Sequence, residues 1–258
     1  MQVESYKDWY VFDDGYHERG CVKFLSKECD KSFGCLRIGN GPFELTQAYS
    51  INSIGDSIYV FDVNHHRIIN LDYQDSLRLS YLSSDCNLSL LSKPVDFDRF
   101  VNISNFKDSA FLTLEDAAGK ILSGIDFPYD ENLSCQPLII KRQMFINTKV
   151  LISPSKDKFA WGVKYFPSYG FGRIENDSLI IENEFEYYSC KFNCLDGGDV
   201  ITDGSACVNV ASGFPLEKYA VFLYNGSQYA EIDPFGQILL FYTWQGEPYL
   251  KVTLDKKL

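Results

Sequence analysis

Residues Gly55–Tyr73 read GDSIYVFDVNHHRIINLDY, two short apolar runs flanking a polar turn that holds His65, His66 and Arg67. The pattern recurs. WYVFDDGYHERGCVKFL (Trp9–Leu25) and FLTLEDAAGKILSGIDF (Phe111–Phe127) each end a tight apolar run on an acid, turn, and begin a second run. The closing acids are Asp13 and Glu115, and Asp62 takes that place in the first stretch. Such units predict antiparallel hairpins. LISPSKDKFAWGVKYF (Leu151–Phe166) is a looser copy, and KYAVFLYNGSQYAEIDPFGQILLFYTW (Lys218–Trp244) holds three apolar runs separated by NGS and DPFGQ. Asn-Gly and Phe-Gly steps suit turns because glycine takes positive φ freely.

The copies recur at roughly 50-residue spacing, in the range of propellers and other repeat architectures. Runs such as IYVF and AVFLY are continuous rather than alternating, so both faces of those strands need cover. Stacked blades supply it. Helix signals are weak: SLRLSYLSSDCNLSLLSK (Ser76–Lys93) is the strongest, and its serines and Asn87 favour a loop or one short helix. A parallel α/β architecture, which needs a crossover helix, is disfavoured. No linker or low-complexity tract interrupts the chain. The expectation is an all-β β-propeller of antiparallel blades in a single domain, residues 1–258, with five blades readable. EPYLKVTLDKKL at the C-terminus reads as one further strand. It either closes the ring beside the N-terminal QVESYK or marks an incomplete last blade.

Composition narrows the function classes. The 17 Tyr and 20 Phe lean toward strands. A formal net charge of −11, with no basic cluster to reverse it locally, opposes nucleic acid and anionic lipid. No apolar run reaches the roughly 18–20 residues of a membrane span. MQVESYKDWYVFDD has no signal-peptide pattern, so the chain as written is expected in the cytoplasm. Eight cysteines without C-x-x-C spacing read as free, mostly buried thiols. Cys190 and Cys194 on one strand face would lie roughly 13 Å apart, too far to bridge.

RIGNGPFEL (Arg37–Leu45) followed by DSIYVFDVNHHRIINLD resembles the TolB-like six-bladed β-propeller proteins of Bacteroidetes. DVNHHRIINLD is also similar to one NHL-type repeat. SPSKDKFAWG (Ser153–Gly162) looks like the Ser-Pro-Asp-Gly-Lys turn of TolB-type blades, with Ser155 where Asp is usual and Asp157 after it. The resemblance implies six blades and a cell-envelope or secreted setting, and implies no defined reaction.

Candidate chemistry is sparse. GNGPFE lacks the third glycine and following helix of a dinucleotide loop and reads as a connection between blades. His65 and His66 are adjacent in a turn, where side chains diverge and seldom share one ion. His17 falls in the equivalent turn of the first copy. Asp62 is a conceivable further ligand, but zinc needs three or four convergent donors, and no metal or cofactor is expected. Arg67 is read as a strand-opening residue paired with an acid. SPSK, with Pro154 among strands, does not present a helical Ser-x-x-Lys nucleophile. DGGDVITDG (Asp196–Gly204) holds calcium-type oxygen donors without the helix–loop–helix spacing. Five Asn-x-Ser sequons, at Asn87, Asn102, Asn132, Asn176 and Asn225, read as turn composition. Trp9, Trp161 and Trp244 suit blade packing better than sugar stacking.

These observations favour a non-catalytic propeller that binds a small ligand, glycan or protein at its channel mouth. The candidates for contact are His65, His66, Arg67, Asp62, Asp13 and Glu115. A hydrolase or lyase is the alternative, with the acids of equivalent strands converging at the axis. A scaffolding propeller without a small ligand is the third.

Overall fold

A computed structural model describes residues 3–14, 21–46, 49–54, 56–73, 76–83, 92–103, 110–126, 147–164, 167–187, 192–194, 200–202, 209–226 and 236–256. Among them there is no helix. Five four-stranded sheets follow one another along the chain, each joining its strands in sequence order.

The first sheet is β1 (Val3–Tyr6), β2 (Trp9–Asp13), β3 (Val22–Ser26) and β4 (Ser32–Cys35). A short parallel pair, β5 (Arg37–Ile38) with β6 (Glu44–Leu45), leads to the second. That sheet holds β7 (Tyr49–Ile54), β8 (Ser57–Asp62), β9 (Arg67–Tyr73) and β10 (Leu77–Ser83). The third is β11 (Lys93–Pro94), β12 (Arg99–Ile103), β13 (Ala110–Asp116) and β14 (Ile121–Asp126). The fourth is β15 (Lys149–Ile152), β16 (Lys158–Gly162), β17 (Ser168–Glu175) and β18 (Ser178–Glu186). After the pair β19 (Phe192–Cys194) and β20 (Val200–Thr202) comes the fifth: β21 (Val210–Pro215), β22 (Tyr219–Tyr224), β23 (Ile238–Thr243) and β24 (Pro248–Thr253). The fold is a β-propeller, and its described residues hold five blades rather than six. Between β18 and β21 the described residues hold the pair β19–β20, and the fourth and fifth sheets pack on each other.

Contacts gather the chain into two compact units, Met1–Phe100 with Glu115–Lys120, and Val101–Leu114 with Ile121–Leu258. In the first, Val11, Val22 and Phe24 pack against Ile51, Ile58, Val60, Ile69 and Leu71. The opposite face of β8 presents Tyr59 and Phe61 to Phe100. All four apolar residues of IYVF are therefore buried, each by about 1.5–3 kcal/mol relative to exposure. That is the double cover the unbroken apolar run requires. In the second unit Tyr169 and Phe171 of β17 interleave with Phe222 and Tyr242. Ring centroids there lie 5.4–6.4 Å apart in edge-on and tilted pairs.

One turn design recurs. In the hairpin after β3, Ser26 N–H donates to Lys31 O at 2.9 Å, and Ser26 Oγ bonds Asp30 Oδ1 and accepts from Lys31 N–H. Cys29 occupies the left-handed region at φ 60°. After β15 the same bonds run from Ser153 to Lys158 N–H and to Asp157, with Lys156 at φ 65°. Where the sequence resembles Ser-Pro-Asp-Gly-Lys, Lys156 thus holds the glycine position, and the displaced Asp157 still closes the turn through Ser153 and Ser155.

Three expectations change. EPYLKVTLDKKL does not join the N-terminal strand. β24 pairs with β23 and β1 with β2, so neither chain end is left to complete the other's sheet. The described start of Ser76–Lys93 is the strand β10, because Leu77 and Leu79 alternate inward with Arg78 and Ser80 outward. The copy at Phe111–Phe127 is β13–β14, the third and fourth strands of its sheet, whereas the copies ending at Asp13 and Asp62 join second strands to third. Glu115 therefore lies toward the opposite end of its sheet from an acid that closes a second strand.

Candidate functional site

In an antiparallel meander the start of the first strand and the end of the second meet at one end of the sheet. In the second sheet those positions are Tyr49 and Asp62, which face each other in register. The side chains that gather there come from β8, β9 and the segment between the first two sheets.

The Asp62 side chain has no solvent exposure. Its Oδ1 accepts from Thr46 Oγ1 at 2.6 Å, and its Oδ2 accepts from Thr46 N–H at 3.2 Å. His65 Nδ1 lies 2.8 Å from Oδ2. Arg67 Nε donates to Oδ2 at 3.1 Å, with Nη2 at 3.0 Å. Asp62 and Arg67 are the last register pair of the hairpin, so the ladder itself places cation beside anion. Burial pushes the Asp62 carboxyl upward, but the Thr46 and His65 hydrogen bonds outweigh it and hold the group below the usual carboxylate range.

Arg67 also donates from Nη1 to the carbonyls of Gly41 and Pro42, at 3.1 and 3.3 Å. The GNGPFE loop closes on its own acid: Gly41 N–H donates to Glu44 Oε2 at 2.7 Å. A Cβ on Gly39 would sit 2.1 Å from the same oxygen. The glycines make room for a carboxylate of the chain, and the stretch is a connection between blades, as expected. Tyr49 donates its hydroxyl to Asp13 Oδ1 and approaches Cys21 O at 3.3 Å. Burial, then the bond to Asp13, raises the Tyr49 phenol, which stays a protonated donor.

Among the expected contact residues, Asp62, His65 and Arg67 form one cluster. Asp13 is joined to the same sheet end through Tyr49, and His66 is exposed at the turn with φ 51°. Glu115 is not part of this set. His17, the DGGDVITDG loop apart from residues 200–202, and Cys190 lie outside the described residues. Sequence reasoning passed over Thr46 and Tyr49. Nothing local marks either one, since their partners are 16 and 36 residues away.

Trp161 and Trp244 are core residues, and Trp9 packs on Phe24, Phe33 and Tyr73. Tyr249, 61% exposed, stacks on Tyr219 at 4.4 Å. Of the described cysteines, Cys21 is buried and Cys35 partly so, as expected, whereas Cys29 is exposed at its turn. In the second unit a shallow depression of about 440 Å³ is lined by Asp157, Lys158, Arg173, Glu175, Glu182 and Gln245. Arg173 is already engaged there by Glu175 and Glu182, each at 3.0 Å. Among the described residues no group of three or more His, Cys, Asp or Glu is placed to hold a metal ion. Among the described residues no helix long and apolar enough to cross a membrane is present.

No protein-family model matches the sequence, and no curated protein matches it. Solved structures share its fold. A candidate exported protein from Bacteroides fragilis has a TM-score of 0.53 at 9% identity, over 97% of this chain and 70% of that one. A member of the DUF4221 family from Bacteroides vulgatus has a TM-score of 0.52 at 9% identity, over 96% of this chain and 79% of that one. At such identity the likeness is one of fold, the β-propeller class.

Proposed function

We propose that the chain acts as one non-catalytic β-propeller domain of the TolB-like kind, presenting a ligand or partner site where first strands begin and second strands end. The observation that carries this reading is the state of Asp62. A carboxylate that serves as general acid or base needs a lone pair or proton directed at substrate. The Asp62 oxygens are spent on Thr46, His65 and Arg67, with no solvent exposure. The acid therefore pins the GNGPFE loop and the hairpin to each other, and the turn residues Asn64 and His66 face outward from a rigid base. A preformed surface of this kind suits recognition, because little ordering is lost on binding.

A thermal-shift screen against glycans and small metabolites tests the reading, since a ligand of the native state raises the melting temperature. The expected result is a ligand-dependent rise that His66→Ala reduces, read against the unliganded melting temperature of each variant. Turnover of an ester, lactone or glycoside substrate that Asp62→Asn abolishes would replace binding with catalysis.

A further inference from the structure

The most exposed large apolar side chains described in the second unit stand at one end of the fifth sheet. Phe214 and Leu216, each 46% exposed, lie where β21 ends, and Tyr249 (61%) and Leu250 (49%) lie where β24 begins. The ladders bring these places together: Phe214 faces Val221, Val221 faces Phe241, and Phe241 faces Leu250. Register partners share a face, so one apolar row crosses all four strands, with Val221 buried within it and both ends open. Tyr219, two residues before Val221, shares that face and carries the stacked ring of Tyr249 at 4.4 Å. Phe222 and Tyr242 alternate to the opposite face and pack on the fourth sheet. The open row is therefore separate from the packing of the fourth sheet on the fifth.

The two exposed segments have nearly the same composition, FPLEK (Phe214–Lys218) and EPYLK (Glu247–Lys251), and every residue in them is exposed. Each carries one glutamate and one lysine, so the patch is neutral in a chain of net charge −11. Two copies of such a chain repel each other over most of their surface. Here they meet without repulsion, and a twofold axis can set the glutamates of one copy against the lysines of the other. β24 is the outer strand of its sheet, and Pro248, which lacks an N–H, and Lys251 oppose strand-to-strand pairing along that edge. The apolar end of the face is what remains to be covered. At about 150–250 Å² for a large side chain, four side chains half open offer on the order of 400 Å². Doubled across a twofold and completed by a polar rim, this reaches the roughly 1,200 Å² at the low end of specific interfaces, enough for a weak, reversible pair. We propose that this end of the fifth sheet is a self-association surface, on which Phe214, Leu216, Tyr249 and Leu250 of two copies of the chain pack together about a twofold axis. The proposal rests on none of the residues at the Asp62 end of the second sheet, so it stands whether or not the His66 turn binds anything.

The test is sedimentation equilibrium of the full chain over about 1–200 µM, the range in which a weak pair forms and dissociates. The expected result is a monomer–dimer equilibrium that goes no further than the dimer, with the dissociation constant raised at least about tenfold in Leu250→Glu. Tyr249→Ser gives a loss in the same direction and serves as the second variant if Leu250→Glu fails to fold, as judged by far-ultraviolet circular dichroism. A pair of charge reversals separates a specific contact from general stickiness. A chain with Lys218→Glu and Lys251→Glu self-associates less than the parent, as does a chain with Glu217→Lys and Glu247→Lys, and an equimolar mixture of the two recovers the dimer. A chain that stays monomeric throughout, a dimer undiminished in both apolar variants, or growth beyond the dimer overturns the proposal. Flotation of a monomeric chain with neutral phosphatidylcholine vesicles, lost in Leu250→Glu, overturns it too and gives the patch to a lipid surface.

Discussion

The indole of Trp161 fills the space above Gly170, its register partner across the β16–β17 ladder. A Cβ at position 170 would lie 1.9 Å from the ring. The pairing repeats two residues on, where Phe159 faces Gly172 and its ring stacks beside Trp161. Large and small positions thus alternate across one ladder, and the aromatic row lies flat enough for the third sheet's Phe111 to meet Trp161 edge-on at 5.9 Å. Gly170→Ala forces the indole from a site with no free space. We expect a loss of about 1–3 kcal/mol, the usual range for overpacking, measured as a lower urea midpoint with intact far-ultraviolet circular dichroism.

Asp62→Ala removes the anion from a buried ion pair and frees the GNGPFE loop. The expected cost is about 3–5 kcal/mol in unfolding experiments at neutral pH. The pH dependence has a defined sign. The folded carboxyl titrates below its ordinary value, so its contribution is full above the unfolded pKa of about 4 and disappears as pH falls through the folded one. The gap in melting temperature between the parent and Asp62→Asn should therefore narrow as pH falls below about 4. A gap that stays constant would mean that Asp62 is not ionised in the native state.

Lys156 sits at φ 65° in a turn that the related motif builds with glycine. The left-handed conformation costs an L-residue about 1–2 kcal/mol, partly offset by the extra chain entropy glycine loses on folding. Lys156→Gly should stabilise the protein by roughly 0.5–1 kcal/mol. Cys29→Gly, in the matching turn of the first sheet, should behave alike. A lower melting temperature for both variants would show that these side chains make contacts worth more than the strain.

Thiol reactivity should divide the described cysteines. Burial pushes the Cys35 thiol up to about 12, with a further contribution from Cys21, and burial raises Cys21 as well. The thiolate is the reactive form. Alkylation by iodoacetamide at about pH 8, followed by peptide mass mapping, should label exposed Cys29 first and reach Cys21 and Cys35 only after denaturation. Equal labelling of all three in the native protein would contradict the packing of the first sheet's core.

Hairpins were legible wherever an apolar run, a polar turn and a second run follow within about twenty residues, because strand and turn preferences act over a few neighbours. IYVF also announced burial on both faces, which Val60 and Phe61 meet by packing toward different sheets. The strand number of each copy was not legible. The Glu115 hairpin has the same local pattern as the Asp62 hairpin, yet it sits one strand further along, because the two short strands before it carry almost no pattern of their own.

By itself, then, the chain's order of residues determined an all-β protein of repeated hairpins, the turn at Ser153–Lys158, and the pairing of Arg67 with an acid. Tertiary structure alone decided that Thr46 and Tyr49 would occupy the acids. The reason is the range of the forces. Turn and strand preferences are settled among adjacent residues, whereas a hydroxyl that reaches an acid 36 positions away depends on which sheet faces pack together, and burial of apolar area has no direction that a local pattern encodes.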